Sequence, residues 1–322
     1  MKEFQTPILN PNAENISAAG KALYKGELVA FPTETVYGLG GNATSEKAIA
    51  RIFATKDRPK FNPLIVHVED ARHARKIVIF NEMAKQLTKA FWPGALTLVL
   101  PRCNDKISLL VSAGLNTLAV RAPNNSVAQS LISNTGFAIA APSANRSGGI
   151  SPTEAKHVAS SLPRTKDLGL KMILDGGRCQ IGLESTVIDL SDDTPTLLRP
   201  GGITLEEIEA VIGPISASTF NKKGAQKSPG MLERHYAPDL AIRLDVIEPR
   251  FGEAFLGFGP SSNNPNLNLS SIGNLSEAAS NLFSMLRILD NKVFTGIAVM
   301  PIPNYGLGRA INDRLRRATK KT

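Results

Sequence analysis

Lys56 and Arg58 stand two residues apart at the head of KDRPKFNPLIVHV (Lys56–Val68), with Asn62 and His67 close behind. Pro59 and Pro63 stiffen the approach to the apolar run Leu64–Val68, which reads as a buried strand. A lysine and an arginine delivered to a strand end suit a polyanion held at a sheet edge. Set alone, a K-x-R pair is more often a solvated turn, but further segments of the same kind follow. Thr33 and Thr35 sit two apart before the glycines of GLGG, so in an extended segment both hydroxyls face one side. Those glycines allow a backbone to approach a ligand closely. Ala138–Ala141 reads as a strand running into PSANRSGG, which carries Ser143 and Asn145. Ser151, Pro152 and Glu154 then predict a capping box at a helix start. A polar loop between a buried strand and a helix can hold an anion or a nucleotide hydroxyl. Thr117–Arg121 and Leu197–Arg199 bring two more cations to strand ends.

Other chemistries lack their residues. No serine has a lysine three positions on, and neither a G-x-S-x-G elbow nor a Walker sequence occurs. No G-x-G-x-x-G opens a helix, which excludes a dinucleotide fingerprint. The four histidines and two cysteines, Cys103 and Cys179, form no metal-ligand spacing. Two free thiols fit a reducing, cytoplasmic compartment. The first residues have no signal-peptide core and read as unprocessed, and no apolar run reaches membrane-span length. With 322 residues, 42% of them hydrophobic, the chain has material for one large domain or two ordinary ones. The net charge of +9 argues for an anionic partner, a nucleotide, RNA or both. Its basic concentrations are Lys222, Lys223 and Lys227, and the tail from Arg309 to Lys321.

The elements that must position these residues follow from periodicity. Helices are predicted over Asn12–Lys25, Ser45–Thr55, Asp70–Ile77 and Asn81–Phe91, with strands at Leu28–Phe31, Leu64–Val68, Ala95–Leu100 and Thr117–Arg121. Strands at Met172–Leu174 and Val187–Leu190, and a helix capped by Thr204 and Glu207 and ending at Gly213, continue the pattern. Strands and helices mix without strict alternation, so a mixed, twisted sheet with flanking helices is expected for residues 1–213. Residues 214–238 read as a linker. Strands at Ala241–Val246, Ala254–Phe258 and Gly296–Pro301, with helices at Leu275–Leu289 and Arg309–Ala318, make 239–322 a small α/β domain.

The motifs FPTETVYGLG, KDRPKFNPLIVHV, FWPGALTLVL, TLAVRAP, APSANRSGGISPT, LESTVIDL and LLRPGGIT, in this order, resemble those of the YrdC-like threonylcarbamoyl-AMP synthases. SPGMLERHYAP and GLGRAINDRLRRA are similar to the linker and C-terminal domain of the long, two-domain members. Val246–Ala298 matches loosely. The resemblance implies a YrdC-like fold with a Rossmann-like C-terminal domain. It implies that L-threonine, bicarbonate or CO2, and ATP give threonylcarbamoyl-AMP and pyrophosphate, for the threonylcarbamoyladenosine modification of tRNA. Carried over by motif, Lys56, Arg58, Ser143 and Asn145 surround the nucleotide, with Lys56 and Arg58 catalytic. Asn62, Thr117, Ser151, Arg199 and Tyr236 would be further ATP contacts. Thr33, Thr35, His67, Arg121, the backbone at Ala141 and Ser185 would form the threonine site. Mg2+ would ride on ATP with no protein ligand, and tRNA or downstream transferase proteins would be partners.

No dedicated general base is evident. His67 could serve, or could instead hydrogen-bond the substrate, and positioning with charge stabilisation is the favoured source of catalysis. Pro229–Pro238 is expected to fold over the nucleotide, with His235 or Tyr236 touching it. The rival reading is a non-catalytic RNA-binding module with a basic concave sheet. It leaves Thr35, Ser143 and Asn145 without a task, and the chain lacks the aromatic interleaving of single-strand binders. A carbamoyl-adenylate enzyme of hydrogenase maturation is a second rival, but its zinc-finger and acylphosphatase-like segments are missing.

Overall fold

The computed structural model describes residues 6–59, 61–162, 169–217, 235–261 and 263–319. Strand β1 (Ile8–Leu9) precedes helix α1 (Ala13–Tyr24), whose start is fixed by the Asn12 side chain accepting the Asn15 amide at 2.8 Å. After β2 (Leu28–Phe31) and β3 (Gly38–Asn42) comes α2 (Glu46–Lys56), capped by Ser45. It ends in left-handed Asp57 and delivers Lys56 and Arg58 to the head of β4 (Ile65–His67). Next come α3 (Ala71–Ala74), α4 (Glu82–Phe91), β5 (Leu96–Pro101), β6 (Thr117–Arg121), α5 (Ser126–Thr135) and β7 (Ile139–Ala140). The large unit is completed by α6 (Ala155–Ser161), β8 (Leu170–Leu174), β9 (Thr186–Asp189), β10 (Thr196–Arg199), α7 (Leu205–Ile212) and β11 (Ser216–Ala217). A smaller unit contains β12 (Ile242–Arg243), β13 (Glu253–Gly257), β14 (Leu267–Asn268), α8 (Leu275–Leu289), β15 (Gly296–Val299) and α9 (Leu307–Ala318).

The large sheet is mixed and eleven-stranded, in the order β1-β8-β2-β3-β7-β4-β6-β5-β9-β10-β11. The small one has four strands, β12-β15-β13-β14, all parallel. Strand alternation sorts the side chains of the large sheet into two faces. Leu28, Ala30, Val66, Leu98, Val120 and Ile188 meet α2, α4, α6 and α7. Val29, Phe31, Ile139, Met172 and Leu174 lie on the other face under α1 and α5. Those two helices reach only part of that face. Beyond them Ile65, Val99, Ala119 and Val187 form a small apolar patch. The same alternation puts His67, Thr117 and Arg121 beside that patch, and the parallel register sets His67 opposite Arg121. The small unit closes onto the large one through a shared core, in which Val36, Ile150 and Leu183 pack with Leu282, Phe283 and Leu286 of α8.

Three expectations need correction. The glycines after Thr35, read as room for a ligand, form strand β3, paired antiparallel to both β2 and β7. A Cβ at Gly40 would stand 2.7 Å from the Phe31 ring, so packing rather than a ligand requires that glycine. The predicted capping box at Ser151 is absent: α6 begins at Ala155 with Glu154 as its N-cap and no side-chain cap. Ser151 is drawn away because its hydroxyl donates to Glu184 Oε1 at 2.5 Å. Strands β1 and β14 carry too few apolar residues to have been read. The box at Thr204 and Glu207 does form. The large sheet runs past residue 213, because β11 pairs with β10. Of the linker, 218–234 lies outside the described residues, including Lys222, Lys223, Lys227 and the Pro229–Arg234 part of the motif. Its last residues are seated: the Ala237 amide donates to the Gly148 carbonyl at 2.9 Å.

Candidate active site

Where α1 and α5 stop, the sheet face sinks into a cavity of about 40 Å³. Its walls come from distant parts of the chain. Thr33, Thr35 and Gly38 follow β2; Arg58 follows α2; His67 and Arg121 end β4 and β6; Ala141 and Ser143 follow β7. Glu184 and Ser185 precede β9, Arg199 ends β10, and His235 and Tyr236 close the far side. Thus Thr33, Thr35, Arg58, His67, Arg121, Ala141, Ser143, Ser185, Arg199 and Tyr236 meet in one place. Lys56, Asn62, Thr117, Asn145 and Ser151 lie outside this lining. Asn62 and Thr117 mark the N-terminal ends of β4 and β6, one strand length from His67 and Arg121.

At one end of the cavity Arg121 is held from several sides. Its Nε donates to the Gly94 carbonyl at 3.1 Å, Nη1 to Thr35 Oγ1 at 2.9 Å, and Nη2 lies 2.7 Å from Glu34 Oε1. Thr33 and Thr35 share a hydrogen bond at 2.8 Å. Glu34 is 4% exposed and neither oxygen is hydrogen-bonded, so the ion pair with Arg121 is what compensates its burial. His67 stands edge-on to Phe31 with Nδ1 unpartnered. Burial, with the Arg121 charge, pulls its pKa down to about 3, so the imidazole is neutral at physiological pH.

The other end is rich in buried cations. Arg58 donates through Nε to the Asn62 carbonyl at 3.2 Å and through Nη2 to the Pro63 carbonyl at 2.9 Å. Burial lowers its pKa to about 9, a sign that the guanidinium lacks an anion here. Lys56 Nζ donates to the Ser143 carbonyl at 2.6 Å and also to the Asn145 carbonyl. It therefore ties the end of α2 to the 142–149 loop, and burial followed by the Arg58 charge holds its pKa well down. Asn145 donates through Nδ2 to the Arg146 and Gly149 carbonyls, leaving Oδ1 unpartnered. Both side-chain atoms of Asn62 are also buried without partners. Arg199 donates to the Ser185 carbonyl at 2.8 Å, and the Ser185 hydroxyl meets Thr97 Oγ1 at 2.7 Å. Gly201 lets this wall form, since a Cβ there would stand 2.3 Å from the Ser185 carbonyl carbon.

Motif spacing missed Glu34, Glu184 and Arg314, whereas His235, expected at the nucleotide, does line the cavity. Glu34 and Glu184 sit inside recognised motifs, and their burial beside arginines was the missing signal. Tyr236 adopts φ +65° in a buried position and stacks on Phe283 with ring centroids 5.6 Å apart. Desolvation followed by Arg58, Lys56 and other cations drives the His235 pKa well below its ordinary value, so that ring too is neutral. Among the described residues no cluster of three His, Cys, Asp or Glu could hold a metal ion. Glu184, which lines the cavity, and Glu34, buried beside it, each face an arginine.

A cavity with more buried cations than carboxylates at one end, and a hydroxyl-lined arginine pocket at the other, suits a protein that takes anionic ligands. Comparison with known proteins gives the same class a family. Residues 21–201 match the Sua5/YciO/YrdC family, described as telomere recombination, and residues 203–319 match the threonylcarbamoyl-AMP synthase C-terminal domain. The Bacillus subtilis threonylcarbamoyl-AMP synthase is 42% identical over 97% of this chain and 95% of its own. The Pyrococcus abyssi synthase is 41% identical over 94% of each. The solved structure of P. abyssi Sua5 complexed with L-threonine superposes with a TM-score of 0.87 at 40% identity, covering 96% of this chain and 95% of that one. The chain belongs to the Sua5/YciO/YrdC family, in its long form with the second domain.

Proposed function

We propose that this chain is an L-threonylcarbamoyl-AMP synthase, making threonylcarbamoyl-AMP and pyrophosphate from L-threonine, bicarbonate or CO2, and ATP. The product would serve threonylcarbamoyladenosine modification of tRNA in the cytoplasm, handed to a downstream transferase. The observation that carries the reading is the single cavity that joins Arg58, Ser143, Arg199 and Tyr236 to Thr35, His67, Arg121 and Ser185. In this reading residues 1–213 are catalytic, 214–238 form the linker over the site and 239–322 anchor it. A non-catalytic RNA module has no use for a buried pocket of this composition.

Threonine would lie with its carboxylate on Arg121 and its hydroxyl among Thr33, Thr35, His67 and Ser185, beside the Ala141 backbone. Its neutral amine adds to CO2, forming the C–N bond and releasing a proton to give a carbamate. A carbamate oxygen then attacks the α-phosphorus, and the bond to pyrophosphate breaks. The His67 imidazole, with a pKa of about 3, is a poor proton acceptor near neutrality. Its role in this scheme is a hydrogen bond to threonine. Arg58, desolvated and without an anion, gains most when negative charge builds on the leaving pyrophosphate, with Arg199 beside it. Lys56 supports them by fixing the Ser143–Asn145 loop, while Asn62, Thr117, Asn145 and Ser151 are assigned to ATP. Mg2+ would arrive on the triphosphate, because Glu34 and Glu184 already face arginines.

Mass spectrometry of the product formed from ATP, bicarbonate and threonine tests the assignment. Each substrate omitted in turn should abolish the threonylcarbamoyl-AMP mass. Valine leaves the hydroxyl partners unpaired and should be used ~10⁴-fold less well, serine only ~10–200-fold. Equal use of threonine, valine and serine would refute the pocket described here.

A further inference from the structure

The small domain reaches into the large one with a fully buried cation. Arg314, on α9, has no solvent-exposed side-chain surface. Its Nε donates to Glu184 Oε2 at 2.9 Å, and its Nη1 donates to the Pro200 carbonyl at 2.8 Å and to Asp313 Oδ2 at 2.8 Å. The guanidinium carbon lies 5.1 Å from the centroid of the Tyr236 ring. Each contact outside α9 ends on a different part of the site. Glu184 lines the cavity and accepts the Ser151 hydroxyl on its other oxygen. Pro200 follows Arg199, and Tyr236 forms the far wall. Adhesion between domains does not require this arrangement. Val36, Ile150 and Leu183 already share an apolar core with α8, and a buried ion pair holds surfaces together no better than a well-packed apolar pair. The exposed bridge from Arg309 to Glu206 shows how a peripheral tie looks by contrast, at 36% and 48% exposure.

We propose that Arg314 is a positioning residue through which the C-terminal domain sets the nucleotide site: it fixes Glu184, and through Glu184 the Ser151 hydroxyl, while its face holds the Tyr236 ring. The small domain is then a part of the active site, with Arg314 joining the Phe283 ring that stacks on Tyr236. Burial presses against the Arg314 charge, but the Tyr236 ring, Glu184 and Asp313 raise its pKa on balance, so the guanidinium stays protonated. Glu184 is held below the usual carboxylate range because Arg314 and Arg199 outweigh its desolvation. The pair therefore stays charged across the working pH range and acts as a fixed brace.

This inference rests on the assignment of Ser151 and Tyr236 to ATP, and its test is an ATP titration of the full-length chain that needs no reaction. Arg314→Met alone strands the Glu184 charge and is expected to lower thermal stability as well as ATP affinity. Arg314→Met combined with Glu184→Met removes both charges and should recover the melting temperature. In that double variant ATP should still bind about tenfold or more weakly, with the Kd for threonine moved less than about threefold. Arg314→Lys should fall between wild type and Arg314→Met in ATP affinity. A double variant that regains wild-type ATP affinity along with its stability overturns the proposal, as the pair would then be structural only. So does an Arg314→Met chain that binds ATP as wild type does. A wild-type chain that binds ATP yet makes no threonylcarbamoyl-AMP would sink the reaction assignment while leaving the Arg314 result readable.

Discussion

Arg58 and His67 carry opposite lessons about burial. Arg58 is 7% exposed, with the Asn62 and Pro63 carbonyls as its hydrogen-bond acceptors. Removing a desolvated cation that lacks an anion costs little stability, whereas removing it from a bound triphosphate costs a charge-assisted contact. Arg58→Ala is thus expected to lower product formation by roughly 10² or more while the melting temperature shifts by only a few degrees; unimpaired pyrophosphate release would remove Arg58 from the site. His67 is instead a latent acid-stability switch. Its pKa falls from 6.5 in the unfolded chain to about 3 here. The unfolded state therefore binds the proton first, and stability is full above pH 6.5 and declines toward pH 3. By pH ~4.5 this one group should cost about 2–3 kcal/mol. The depressed carboxylates Asp70 and Glu253, both near 2, act in the same direction but only below their unfolded values of 3.8 and 4.5. Urea midpoints measured across this range for wild type and His67→Gln should differ in slope between pH 6.5 and 4.5. Parallel curves would mean that His67 ionises normally in the folded protein.

Elements were legible where one local cause dominates. The Thr204–Glu207 box and the apolar stripe of α8 each depend on residues within a turn or two, and both form as read. Ser151 failed because its hydroxyl had a better partner in Glu184, 33 residues away. No local pattern encodes that competition. Gly40 has an equally distant cause, since the Phe31 ring that excludes a side chain there belongs to another strand. The site divides likewise. Thr35, Arg58, His67, Arg121 and Ser143 were visible as polar residues at strand ends, while Arg314 is invisible until folding spans the 130 residues to Glu184. Gly201 provides the test at this scale. Its added Cβ would also meet the Glu184 carbonyl oxygen at 2.4 Å and the Thr186 amide at 2.4 Å, all backbone atoms that cannot swing aside. Gly201→Ala should push the start of β9 off the site and lower turnover by at least ~10² even in protein that still folds. An alanine variant of normal activity would show that this wall is free to move.

For the whole molecule the question is whether the second domain is a passenger. The last residues of the linker are fastened at both sides, His235 to the Arg317 carbonyl and Ala237 to the Gly148 carbonyl. Tyr236 between them holds a positive φ that costs a non-glycine residue ~1–3 kcal/mol, so its surroundings must over-determine it. A chain ending at Gly213 loses β11, His235, Tyr236 and Arg314 together. It is expected to make no measurable threonylcarbamoyl-AMP, and Tyr236→Ala in the full chain should lose most activity while remaining folded. A truncated chain as active as the intact one would reduce the second domain to an appendage.

The crowd of buried cations around the cavity reaches beyond catalysis into how the protein must be handled. Burial presses against the charges of Lys56, Arg58 and Arg199 and lowers the pKa of each. Any phosphate-like solute that enters the cavity relieves that cost in the folded state alone. Melting temperature then becomes a property of the buffer as much as of the polypeptide, and an anion at ~100 times its Kd adds about 2.7 kcal/mol. Preparations in chloride and in phosphate would differ as if they were two proteins of different intrinsic stability, although no atom of the chain had changed.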